Sequence, residues 1–197
     1  MTNTRTGALR AIVDTMLRTT PDPSPLTFRL ARAEEIATIL RLDEDATELY
    51  HLVGLDVSLP RSHPYARHEE ERWAAQAAAD RVEFALLSEE IAGFVACDFV
   101  DGAPFLDQLS VWRDFGGRGI GSRLLSRALD WAAPHGRLWL TTYDGVPWNR
   151  PFYERRGFEI VPASACGPEL QATLAEQRAA LPAPERRIAM RWAGHTA

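Results

Sequence analysis

The chain is poor in cysteine: 197 residues hold two, Cys97 and Cys166. Two thiols make no disulfide framework, and free thiols in a reducing cytoplasm are the plain expectation. The first twenty residues mix Arg and Asp with apolar residues and contain no hydrophobic stretch of the secretory kind. Long apolar runs are also missing, so no segment approaches the ~20 residues of a membrane span, and no membrane partner is expected. Basic residues are not in excess: 22 Lys and Arg stand against 27 Asp and Glu, for a net charge of −5. That argues against nucleic acid as a partner, which would favour a basic face. It is compatible with a cationic amine substrate without requiring one. The 5 histidines show no metal-ligand spacing. His63 and His68 do not share a helical face, so no metal is expected. Internal repeats and low-complexity segments are absent.

What is present is ordinary for one globular domain, with 46% hydrophobic and 25% charged residues. Met1 to Pro25 reads as an extension. Ala8 to Leu17 fits a short helix, and Pro21, Pro23 and Pro25 then make an extended linker. The domain is expected over residues 26–197.

The elements follow from periodicity. Strands are expected at Leu26–Leu30, Val82–Leu87, Ile91–Val100, Phe105–Val111, Arg137–Thr142, Phe158–Val161 and Arg187–Trp192. Helices are expected at Ala33–Leu42, continuing over Ala46–Leu55, and at Tyr65–Ala79, Asn149–Arg156 and Pro168–Ala180. Asp101-Gly102 is a hairpin signal. The order predicts an α+β fold, a mixed β-sheet flanked by α-helices.

The chain is organised around Gly116-Gly117-Arg118-Gly119-Ile120-Gly121. A strand ends near Val111, and a helix starts at once with Ile120, Leu124, Ala128 and Ala132 on one face. Glycines let an anion approach the main chain, and a helix N-terminus offers unpaired amides with partial positive charge. Together they form a phosphate site. A Walker loop is excluded because no lysine follows the glycines. A dinucleotide fingerprint fails at Ser122 or at Leu124, where its last glycine would stand.

What remains resembles the acyl-CoA pyrophosphate loop of the GNAT N-acetyltransferase superfamily, Arg/Gln-x-x-Gly-x-Gly/Ala. Gly116 stands where that family usually has Arg or Gln, and Arg113 where it often has Pro. A second block, Trp148-Asn149-Arg150-Pro151-Phe152-Tyr153-Glu154-Arg155-Arg156-Gly157-Phe158, resembles the family's Asn…Phe-Tyr-Glu-x-x-Gly-Phe signature. The resemblance spans Leu26 to Trp192. It implies acetyl-CoA as acyl donor and a primary amine as acceptor, with direct attack on the thioester. A non-catalytic acyl-CoA-binding or regulatory module and an enzyme that acylates a macromolecule are the alternatives. A small-molecule amine is the expected acceptor, and a homodimer is left open.

The chemistry needs a held thioester, a neutral amine and a stabilised thiolate. Amides of Gly117, Arg118, Gly119, Gly121 and Ser122 are candidates for the pyrophosphate, with the Ser122 hydroxyl and the Arg118 charge in support. The resemblance implies that main-chain groups of Leu109 and Val111 pair with the pantetheine arm, as a strand edge can. It implies that Tyr153 serves as acid near the sulfur. A phenol near pKa ~10 is a weaker acid than a thiol near ~8.5, so a strengthening hydrogen bond fits better than full proton transfer. Packing beside Phe152 and Phe158 is its structural alternative. Asp107 stands where many relatives carry a glutamate, and is read as base, as an attractor of the ammonium group or as an edge-strand acid. Asn149 is expected to reach the cofactor, or else to cap the short helix.

Overall fold

Alternating apolar and polar residues give strands that bury one face each, and seven such strands build one mixed sheet. A computed structural model describes residues 25–194, so the expected helix at Ala8–Leu17 lies outside the described residues. The strands are β1 (Leu26–Leu30), β2 (Val82–Leu87), β3 (Glu90–Val100), β4 (Ala103–Val111), β5 (Arg137–Tyr143), β6 (Phe158–Val161) and β7 (Arg187–Ala193). Their order across the sheet is β1-β2-β3-β4-β5-β7-β6. All neighbours are antiparallel except β4 and β5.

The helices are α1 (Ile36–Thr47), α2 (Pro64–Ala78), α3 (Ile120–Ala132), α4 (Arg150–Glu154) and α5 (Pro168–Ala180). The segment expected to continue helically after α1 is a 3₁₀ stretch, Glu48–Val53, stopped by Gly54. Period-2 alternation sorts the core into two layers. Phe94 and Ala96 of β3 face Ile39, Leu42, Trp73 and Ala77 of α1 and α2. Val95 and Cys97 point the other way, toward Ile120, Leu124, Leu125 and Ala128 of α3. The β3–β4 hairpin turns at Asp101 and Gly102, both at positive φ, 52° and 66°, as expected for a two-residue turn of this hand.

Two irregularities place the site. In β4, Gln108 pairs with Ala96 while Leu106 pairs with Cys97, so Asp107 is an extra residue in the ladder. Such a bulge bends its strand and re-aims the side chain. Next, β4 and β5 pair only at Phe105–Trp139 and Leu106–Leu140. Beyond those two positions the strands diverge, and the sheet opens into a cleft.

Candidate active site

The cleft has a volume of about 290 Å³ and reaches from the glycine turn to the floor formed by β5 and β7. Leu109 and Val111 line one wall through β4, while Thr141, Thr142 and Tyr143 line the other through β5. At the mouth, Gly117 and Gly119 adopt positive φ of 76° and 79°. Gly119 is the N-cap of α3. Arg123 N bonds back to Gly119 O at 3.1 Å, and the earlier first-turn amides have no helical acceptor by construction. Gly121 and Ser122 line the cleft here. The Ser122 hydroxyl accepts a hydrogen bond from Arg156 Nη2. Arg156 sits 4.2 Å from the Phe152 ring centroid. Its bond to Ser122 places a cation beside the first turn of α3. Arg118 is not part of the cleft wall; it is exposed, with its guanidinium 5.4 Å from the Phe115 ring centroid.

Tyr153 lines the middle of the cleft. Its ring stacks edge-on with Phe152 at 5.1 Å and Phe158 at 5.6 Å. The packing alternative and the cleft position therefore coexist. Burial pushes the phenol well above its ordinary pKa, so it stays protonated. Asn149 does not cap α4 with its side chain. It donates from Nδ2 to the Tyr50 hydroxyl at 2.8 Å instead. Tyr50 in turn packs between Tyr143 and Trp148, with centroids 5.7 and 6.0 Å away.

Asp107 lines the cleft with a side chain only 2% exposed. Its Oδ2 accepts from Arg72 Nε at 2.7 Å and Gln76 Nε2 at 2.8 Å. Two further carboxyls face the same space. Asp43 of α1 accepts from Ser110 Oγ at 2.9 Å and from Gln108 Nε2. Its pKa is raised, chiefly by burial. Glu69 of α2 is pushed up to about 8 by burial first and by the Asp43 charge second. Arg72 lies 3.9 Å from it, and 26% of the Glu69 side chain remains exposed.

Of the residues singled out from the sequence, Asp107, Tyr153 and Asn149 line the cleft; Glu69, Arg72, Asp43 and Tyr50 line it too, and Arg156 reaches Ser122 at its edge, without having been expected. One signal was available. Tyr65, Glu69, Arg72 and Gln76 fall on α2 at helical spacing and form a polar stripe. The adjacent acids Glu70 and Glu71 hide that stripe, because a run of three glutamates near the N-terminal half of a helix is favourable there whatever its function.

A sheet that splits beside a glycine turn at a helix N-terminus, with carboxyls and a protonated phenol along the split, defines an acyltransferase cleft. The chain belongs to the acetyltransferase (GNAT) family, whose profile matches residues 31–158, and it is an acetyltransferase. It is 28% identical over 166 residues to an uncharacterised N-acetyltransferase of Methanocaldococcus jannaschii, over 78% of this chain and 72% of that one. The fold resembles the PaiA N-acetyltransferase of Thermoplasma acidophilum, solved with coenzyme A, at TM-score 0.60 and 13% identity, covering 86% of this chain and 99% of that one. It also resembles the N-acetylglutamate synthase of Neisseria gonorrhoeae, solved with coenzyme A and N-acetyl-glutamate, at TM-score 0.60 and 17% identity, over 88% of this chain and 36% of that one. Among the described residues no helix is long and apolar enough to cross a membrane, and no group of three His, Cys, Asp or Glu could hold a metal ion.

Proposed function

We propose that the chain moves an acetyl group from acetyl-CoA to the amine of a small molecule by direct attack on the thioester. The observation that carries this reading is the divergence of β4 and β5 directly beside the α3 N-terminus. A thioester arm laid along β4 would find main-chain groups of Leu109 and Val111 on the open side of the strand. Its pyrophosphate would meet the amides from Gly117 to Ser122, with Arg156 close by. Relatives of similar fold that bind coenzyme A support the choice of donor.

In this reading Tyr153 stays a phenol and donates a hydrogen bond that strengthens as charge collects on sulfur. The base must be matched to an amine near working pH. Glu69, at about 8, fits that task, while Asp107, held by Arg72 and Gln76, attracts the incoming ammonium group. The ammonium gives one proton to Glu69. The neutral nitrogen forms the C–N bond, the C–S bond breaks, and the second proton shed by nitrogen ends on the thiol.

The test is thiol release from acetyl-CoA against a panel of primary amines. The chain contains no lysine, so its side chains offer no amine to take the acetyl group. Release that depends on an added amine, with the N-acetyl product identified by mass, is the expected result. Release that proceeds equally without any amine overturns the reading.

A further inference from the structure

At the floor of the cleft, Arg187 breaks the usual rule for buried charge. It opens β7 opposite Tyr143 and is 8% exposed. Its Nη2 donates to Thr141 Oγ1 at 3.1 Å and to Gln177 Oε1 at 2.6 Å, both neutral groups. Its guanidinium carbon lies 4.7 Å from the Tyr143 ring centroid. Its Nε is buried and has no hydrogen-bond partner. No carboxylate among the described residues pairs with it, although Arg187 lines the cleft. Buried arginines are almost always paired, because an uncompensated charge in the interior is expensive. A planar fork with an unused donor is matched to a carboxylate.

The opposite wall carries acidic groups and a cation, Arg72, that already has a carboxylate partner in Asp107. Asp43, Glu69 and Asp107 line the same cleft. Tyr65 lies within the fields of both Glu69 and Arg187, and Tyr50 within those of both Asp43 and Arg187. The cleft is therefore asymmetric, with three carboxyl groups on the α1–α2–β4 side, where Arg72 is already paired with Asp107, and an unmatched cation on the β7 side. Resting on the acetyltransferase reading, we propose that the acceptor is an amino acid-type zwitterion whose carboxylate is bound by Arg187 while its amine faces the acidic wall. An amine lacking the carboxylate would leave Arg187 without a partner in the filled cleft. Sites built around a buried polar group reject analogues that cannot satisfy it.

The experiment compares matched acceptors. Free amino acids, with amine and carboxylate at varied separations, are each paired with their methyl ester and their primary amide. Thiol release from acetyl-CoA then gives kcat/KM for each member. Esterification also lowers the amine's own pKa, which would speed the ester if the carboxylate did nothing, so the comparison is biased against the proposal. The best free acid is expected to exceed its ester and amide by roughly 100-fold or more. In Arg187→Gln that preference should collapse through loss of the acid's rate. Arg187→Lys keeps the charge without the fork and should recover part of it. A melting shift with acetyl-CoA reports whether each variant is folded. Should Arg187→Gln fail to fold, the wild-type pairs decide by themselves. Ester or amide turned over as fast as the acid overturns this proposal while leaving the donor assignment intact. Loss of the acetyl-CoA melting shift in the wild type removes the donor assignment instead.

Discussion

In the proposed reaction Tyr153 and Glu69 divide the proton chemistry, and each makes a separate prediction. Tyr153→Phe removes one hydroxyl and leaves the ring packing against Phe152 and Phe158 in place. Turnover should fall by roughly 10²–10⁴ with little change in acetyl-CoA affinity, the signature of an interaction made only in the transition state. Because the Tyr153 pKa is raised, that loss should be flat across neutral pH. An unchanged rate would leave Tyr153 as packing alone. Glu69 titrates in range. Its pKa of about 8 in the fold, against an ordinary 4.5, means that between those values the folded protein holds a proton that the unfolded chain has shed. Stability must therefore fall as pH rises through that window, being fully present below it. Glu69→Gln is neutral throughout and should flatten this slope in melting experiments. If Glu69 is the base, wild-type turnover should rise toward pH 8, and Glu69→Gln should remove that rise. Asp107 was legible from its strand position, but the setting of Glu69 was not. Its shift comes from burial and from Asp43 on another helix, a proximity that only the fold creates.

Elements show the same division between local and assembled information. The α3 helix was readable in place and in face, since Ile120, Leu124, Ala128 and Ala132 repeat at helical spacing and are all buried. The strands were readable within one or two residues. The bulge at Asp107 was not, because alternation in one strand says nothing about its partner's register. Nor was the hold of one element on another. Asp101, in the β3–β4 turn, accepts from Glu169 N at 2.9 Å and Leu170 N at 3.0 Å, and so caps α5 from outside the helix. Asp101→Gly keeps the positive φ of 52° free of strain and deletes the capping carboxylate, with a further entropic cost from the freer unfolded backbone. It should cost about 1 kcal/mol and lower Tm by roughly 2–4 °C. A melting point equal to the wild type would show that solvent replaces the cap at no cost.

For the whole molecule, the family frame was legible from two short blocks, Gly119-Ile120-Gly121 and Asn149 to Phe158, because both contribute residues to the cleft between β4 and β5. The chemistry of the proposed acceptor end was not, because its lining is assembled from α1, α2, β5 and β7, none of which carries a motif. The opening between β4 and β5 is the proposed seat of acetyl-CoA. Melting of the full chain with and without the cofactor tests it most directly. Saturation at 100 times the dissociation constant should stabilise by ~2.7 kcal/mol, a rise of roughly 5–10 °C at this size. AMP alone should give no such rise. Gly121→Val should abolish the rise, because a Cβ at Gly121 already lies 3.6 Å from Leu109 Cδ2 and 3.8 Å from Val111 Cγ2, and further methyls would crowd the arm's path. A wild-type melting point unmoved by millimolar acetyl-CoA, or moved equally by AMP, would contradict the account.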